Sequence, residues 1–333
     1  MGNIDIIATL GPSTLKKNVI TKLKKDISMF RLNMSHLSLE KLERNLNFLK
    51  KNNIKNVCID TEGAQIRTTS TKKKYFKLNT KIELSFEKSK KHNTIKLYPN
   101  FSLSKINKKT KISIGFNNLN LIVINKSKDK LYCKVIEPGY LESNKGVHIN
   151  ANVNLRPLTN KDIQAIKISK KYGIKNYALS FANSASDVNE IKKMVTNDSK
   201  IISKIETRKG FLNRKKISAK SDAILIDRGD LSRYIDIPKI PLAQRLIIND
   251  AKKIKKKVFV ATNLLETMIL YNLPTRAESN DIFSTLEMGS NGLVLAAETA
   301  IGKFPLKCVD FLKESIKVFK SRKLYKIKNE KFF

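Results

Sequence analysis

The chain reads as an α/β protein: a TIM (β/α)8 barrel carrying a small β lid domain inserted after its third strand. Three observations predict this. At 333 residues the chain is long enough for one large barrel plus a small module, since single cores stop growing near ~250 to 300 residues. Eight short apolar runs, each ending in a polar cluster, alternate with longer segments of helical period, which is the pattern of βα units around a parallel sheet. One gap between runs is too long for a single helix, and its texture changes to period-two alternation.

The eight runs lie near Asp5 to Leu10, Ser28 to Leu32, Asn56 to Asp60, Asn176 to Ser180, Lys200 to Ile205, Asp222 to Ile226, Lys257 to Thr262 and Gly292 to Ala296. Amphipathic segments such as Ser38 to Lys51, Asn160 to Tyr172, Ala185 to Val195 and Pro241 to Ile254 fall between them, as barrel helices would. From Thr69 to Asn144 the pieces TKIELSF, TIKLYP, KISI, LIVI and LYCKVI alternate apolar with polar. The expected division is therefore residues 1–68 with 145–333 as the barrel, and 69–144 as the inserted module. Cys308 to Phe333 reads as one amphipathic helix and a basic tail.

Composition narrows the function. The formal charge of +37 raises the question of nucleic acid, because clustered Lys and Arg release counterions from phosphates. Here the excess is spread through Lys-, Ile- and Asn-rich stretches over the whole length, as compositional bias would spread it, and no specific nucleic-acid partner is expected. Cys58, Cys133 and Cys308 are far apart with no CxxC pair, so neither a zinc site nor a disulfide framework is indicated. Neither a signal peptide nor an apolar run of ~18 residues is present, which points to a cytoplasmic protein without a membrane partner.

In a barrel of this kind the active site is built where the strands stop. The polar clusters at those places are ATLGPS (Ala8 to Ser13), RLNMSH (Arg31 to His36), DTEGAQIRT (Asp60 to Thr68), SFAN (Ser180 to Asn183), SKIE (Ser203 to Glu206), DRGDL (Asp227 to Leu231), ATNLLETM (Ala261 to Met268) and AAETAIGK (Ala296 to Lys303). Glu206 and Asp230 end neighbouring strands, and two carboxylates completed by water suit Mg²⁺, a hard cation that keeps its waters. Lys204, two positions before Glu206, shares its face of the strand and so points to the barrel mouth. PTRAES (Pro274 to Ser279) reads as a helix start, with Thr275 as cap and Glu278 completing a capping box.

In this order and register, the clusters resemble the pyruvate kinase family, whose patterns TxGPxS, RLNxSHG, DTKGPEIRT, KGVNLP, SKIE, RGDLG, ATQMLESM, PTRAE and SGETAxGKYP all have counterparts. The resemblance implies a phosphotransferase that moves phosphate between phosphoenolpyruvate and ADP, giving pyruvate and ATP. It implies Mg²⁺ or Mn²⁺ on Glu206 and Asp230, and Lys204 neutralising the phosphoryl group in flight. Arg31 and Arg67 would clamp phosphates. Thr262, supported by Glu266, would stand where the enolate is protonated, and Gly229 and Asp230 would face the substrate. Asn33, Ser35, Asp60 and Thr61 match a K⁺ site; Asn33, His36 and Lys145 match nucleotide contacts. A homodimer through the barrel is expected by the same route.

The departures cluster around this site. Gln65 stands for a Glu tied to K⁺ dependence, Ala64 for Pro, Glu62 for Lys, Asn263 for Gln, and Asp227 for a small residue beside the substrate carboxylate. An added carboxylate at Asp227 would either repel the substrate or enlist the metal. The lid turn Gly115, Phe116, Asn117 replaces Asp-Asp-Gly, and KGVHIN (Lys145 to Asn150) replaces KGVNLP. The family's C-terminal effector domain has no counterpart in this sequence. Two alternatives are a Mg-dependent lyase or aldolase working through a pyruvate enolate, and a degenerate barrel acting as sensor or scaffold; retention of Glu206, Asp230 and Lys204 argues against the latter.

Overall fold

A computed structural model describes residues 3–69, 71–87, 93–115 and 119–325. The chain forms two compact units, one from Met1–Gly63 with Asn160–Phe333 and one from Ala64–Thr159.

The first unit is a closed barrel of eight parallel strands: β1 (Asp5–Thr9), β2 (Met29–Asn33), β3 (Val57–Asp60), β4 (Asn176–Leu179), β5 (Lys200–Ile205), β6 (Ala223–Asp227), β7 (Lys257–Ala261) and β8 (Gly292–Leu295). Each pairs with its neighbour in sequence, and β1 closes on β8 with Asp5 opposite Gly292. Helices Lys17–Leu23, Leu39–Lys51, Asn160–Lys171, Ala185–Met194, Arg214–Lys220, Ile240–Lys253 and Arg276–Glu287 return the chain from one strand to the next, and Pro305–Tyr325 follows the last strand. This is the (β/α)8 architecture the apolar runs predict.

The helices are set by caps and a narrow apolar stripe. In Leu39–Lys51 the buried residues are Leu42, Leu46 and Leu49, four and three apart, so one face meets the barrel. Burying each is worth roughly 1.5–3 kcal/mol. Ser38 caps that helix by accepting from the Lys41 N–H. Thr275 and Glu278 form the reciprocal box expected from PTRAES, with Glu278 accepting from the Thr275 N–H at 2.7 Å.

Ile7, Met29, Cys58, Ala178, Ile202, Ala223, Leu225, Phe259, Ala261 and Val294 form one apolar cluster. It draws on all eight strands, so it fills the barrel interior. Successive residues of a strand face opposite ways, so the residues two further along from this layer also point inward, nearer the strand ends. Those residues are Thr9, Arg31, Asp60, Ser180, Lys204 and Asp227. Alternation alone thus stacks a polar layer on an apolar one.

Four strands, β1, β4, β7 and β8, end one residue earlier than the apolar runs suggest, and at two of them the backbone gives the reason. Thr262 leaves β7 because its φ is +71°, a value foreign to extended chain and rare for a β-branched residue. Ala296 leaves β8 with φ −105° and ψ −96°.

The second unit is a closed seven-stranded barrel, ordered Lys130–Glu137, Lys81–Ser85, Thr94–Tyr98, Ile66–Thr68, Gly146–Ile149, Lys111–Ile114 and Leu119–Lys126. A two-stranded sheet of Lys74–Phe76 and Gly139–Leu141 accompanies it. The alternating pieces are its strands, and their inward residues, among them Ile82, Leu84, Ile112, Ile114, Leu131 and Cys133, make its core. Its bounds are wider than 69–144. Ile66–Thr68 and Gly146–Ile149 pair with each other and with module strands, which draws both connecting segments into the unit. Phe116 and Asn117 of the altered turn, and the chain after Tyr325, lie outside the described residues.

Candidate active site

The polar layer of the eight-stranded barrel is an ion-pair network around Lys204. Its Nζ lies 2.9 Å from Glu206 Oε1, 3.3 Å from Asp60 and 3.9 Å from Asp227 Oδ2. It also donates to Ser180 Oγ at 3.1 Å. Arg31 Nη1 reaches Asp60 Oδ2 at 3.0 Å, and its Nε donates to Thr9 Oγ1 at 2.9 Å. Ser180 Oγ donates to the other Asp60 oxygen at 3.0 Å. Arg31, Asp60, Ser180, Lys204, Glu206 and Asp227 are all buried.

Burial by itself would lower the Lys204 ammonium. The charges of Asp60, Glu206 and Asp227 outweigh it and raise the group above the ordinary lysine range. It is therefore a fixed cation at neutral pH. Glu206 is pushed above the usual carboxylate range by burial first, against the pull of Lys204, with Asp227 and Asp230 adding to the rise. Lys204 and Glu206 thus stabilise each other's charged forms in a place that disfavours charge.

Glu206 is positioned from a second side by the Phe181 N–H, which donates to Oε2 at 2.6 Å. Phe181 turns with φ +53° directly after Ser180 to present that N–H. Glu206, Asp227 and Asp230 each place a carboxylate oxygen within 4.8 Å of the others. Asp230 also meets Arg233 Nε at 3.3 Å.

The seventh strand end contributes Thr262. Its Oγ1 accepts from the Gly229 N–H at 2.9 Å and donates to the Ala261 carbonyl at 2.5 Å. Arg228 Nε donates to the Thr262 carbonyl at 3.1 Å while its Nη1 holds both Asp281 oxygens at 2.8 and 2.6 Å. That bracket supports the left-handed backbone at Thr262. Glu266, expected to support Thr262, instead accepts from Asn263 Nδ2.

Asn33, Ser35, Asp60 and Thr61 stand together at the tops of β2 and β3, where Asn33 is in register with Asp60. Asn33 Oδ1 accepts from the Ser35 N–H at 2.9 Å, and Thr61 Oγ1 from the Ser180 N–H at 3.0 Å. His36 follows and is exposed. Glu62 is buried and pairs with Lys161 at 3.3 Å, while Lys161 donates to the Met34 carbonyl at 2.6 Å. Arg67 and Lys145 belong to the other unit, where Arg67 Nη1 donates to the Asn144 carbonyl at 3.3 Å and Lys145 pairs with Glu142 at 3.2 Å.

The sequence is similar to known proteins over most of its length. The family model described as "Pyruvate kinase, barrel domain" matches residues 1–309. The chain belongs to the pyruvate kinase family. The pyruvate kinase of Methanocaldococcus jannaschii is 34% identical over 322 residues, which cover 96% of this chain and 70% of that protein. Plastidial pyruvate kinase 2 of Arabidopsis thaliana is 32% identical over 317 residues, 91% of this chain and 54% of its own length. The pyruvate kinase of Thermotoga maritima is 31% identical over 335 residues, 95% of this chain and 71% of its own. The chain thus spans between about half and 70% of the length of these relatives.

The donor set at the barrel mouth fits a small divalent ion. It consists of carboxylate oxygens only, from adjacent strand ends, and Asp230 is half-buried, which leaves a side for water ligands. Three residues outside the expected site set stand among its members in this pyruvate kinase-family chain. Ser180 orients Asp60 and Lys204, Arg228 holds Thr262, and Asp227 joins the carboxylates. SFAN and DRGDL carried the signal, since each puts an inward-facing polar residue at a strand end.

Proposed function

We propose that this chain is a pyruvate kinase-like phosphotransferase that moves phosphate from phosphoenolpyruvate to ADP, giving pyruvate and ATP. The observation that carries the reading is the buried Lys204 ammonium held beside Glu206 at the mouth of a barrel of this family.

In the reaction the bond from phosphorus to the enol oxygen breaks as a bond to a β-phosphate oxygen of ADP forms. Little covalent chemistry falls to the protein, which must position the groups and neutralise charge. Lys204, already a fixed cation, faces the phosphoryl oxygens. Arg31, tethered by Asp60 and Thr9, adds a second positive charge whose direction is preset. Arg67, Lys145 and His36 are assigned to the nucleotide on motif position. Glu206 and Asp230 would hold Mg²⁺ or Mn²⁺, which supplies Lewis-acid stabilisation of the developing negative charge when bound. Loss of the phosphoryl group leaves the enolate of pyruvate, and Thr262 with water adds the proton at its C3. Gly229 lies between Asp227 and Thr262, so substrate can come close to backbone there.

Asn33, Ser35, Asp60 and Thr61 offer the oxygen donors for K⁺ in this reading. Ile237, Leu242, Leu270, Tyr271 and Leu273 are exposed apolar side chains on the barrel unit and support pairing of two chains. Among the described residues no helix is long and apolar enough to cross a membrane, and a cytoplasmic setting fits this reading. The test is pyruvate formation from phosphoenolpyruvate, ADP and Mg²⁺, with and without K⁺. Turnover supports the assignment; intact phosphoenolpyruvate binding with no turnover would overturn it.

A further inference from the structure

Asp227 is the one member of the carboxylate cluster for which the proposed reaction has no use. Its side chain is 9% exposed, and a carboxylate taken out of water needs close partners. Among the described residues its polar contacts are loose. Oδ1 accepts from the Asp230 N–H at 3.4 Å, beyond the usual hydrogen-bond range. Oδ2 lies 3.9 Å from Lys204, which has closer partners in Glu206 and Asp60.

Charge gives the same indication independently. Four carboxylates, Asp60, Glu206, Asp227 and Asp230, face three cations, Arg31, Lys204 and Arg233. Without Asp227 the two sets would balance. With it the mouth holds one acid more than its cations, although the proposed substrate is itself an anion. An oxygen of Asp227 also sits within 4.8 Å of oxygens from both Glu206 and Asp230.

We infer that Asp227 is a third carboxylate ligand of the divalent-ion site, so that the ion is resident and binds in the absence of substrate. The inference rests on the reading of Glu206 and Asp230 as the metal pair. A third anionic donor raises the affinity of the empty enzyme for a hard cation and displaces one water from it. It also accounts for an acid beside an anionic substrate, since the resident ion screens Asp227.

The experiment is Mn²⁺ binding without substrates, by calorimetry and by water-proton relaxation, on wild type, Glu206→Gln, Asp227→Asn and Asp227→Ser. Asn and Ser both keep an oxygen able to cap the Asp230 N–H, so the fold survives in at least one of them, and melting in chelator checks this. The expected result is tenfold or greater weakening in Glu206→Gln and in the Asp227 variants, with one more water on Mn²⁺ when Asp227 is replaced. Wild-type affinity and hydration in both Asp227 variants, with binding lost in Glu206→Gln, would overturn the inference and leave the metal pair standing. Wild-type affinity in Glu206→Gln as well would remove both.

Discussion

Lys204 Nζ lies 2.9 Å from Glu206 Oε1, two residues further along the same strand end. Neither group would keep its charge there alone, because both are buried. Removing one member of such a pair exposes the other's desolvation penalty. Lys204→Met should therefore destabilise the protein by about 3–5 kcal/mol in chelator, as read from urea unfolding. Added Mg²⁺ should return part of that loss, since a second cation then faces Glu206. A loss under ~1 kcal/mol would mean the network is solvated.

Thr262 is expected to act through its hydroxyl. Oγ1 both fixes the Gly229 N–H and stands at the strand end, so Thr262→Ser should retain most of kcat and Thr262→Ala should lose about 10²-fold or more, in the range of one positioned acid–base group. Arg228→Lys tests the support beneath it. A lysine cannot bridge the Thr262 carbonyl and both Asp281 oxygens at once, so kcat should fall more than KM rises. Equal activity of all three variants would remove Thr262 from the chemistry.

Gly63 sits at the exit of β3 with φ +72°, and an added Cβ would meet the Ser180 carbonyl at 2.6 Å. Strain and clash together should make Gly63→Ala less stable by about 2–3 kcal/mol. The variant should also weaken turnover, because Ser180 orients both Asp60 and Lys204. Melting temperature and kcat measured on one preparation check both.

Cys58, Cys133 and Cys308 are buried and free. Burial raises all three thiols, Cys133 and Cys308 to about 12. The native protein should react with less than one equivalent of a thiol reagent near neutral pH, and with three after denaturation. The raised folded values also set a sign for pH. Their contribution to stability is complete below the unfolded thiol value of ~8.5 and is lost as pH rises above it, because the unfolded chain then releases protons the folded one retains.

Much of this was legible in the sequence. The eight strands show as apolar runs because a parallel barrel buries both faces of each strand, and the inward turn of Lys204 and Glu206 follows from alternation alone. The inserted module shows because a small antiparallel barrel alternates. Its edges did not show: Ile66–Thr68 and Gly146–Ile149 are joined by pairing between distant segments, which no local pattern encodes. Nor did the left-handed turn at Thr262, which depends on Arg228 reaching across from the preceding strand end, with Asp281 as its anchor. Asp227 was visible as an unusual acid, while its place among the carboxylates needed the register of β5 with β6.

The central claim is that Lys204 and its carboxylates carry phosphoryl transfer between phosphoenolpyruvate and ADP. The most direct test is parallel measurement of pyruvate and ATP from phosphoenolpyruvate, ADP and Mg²⁺, by wild type and by Lys204→Ala. Equal yields of the two products from wild type, and neither from a folded Lys204→Ala protein, are the predicted result. Pyruvate without ATP, or undiminished ATP formation by Lys204→Ala, would contradict it.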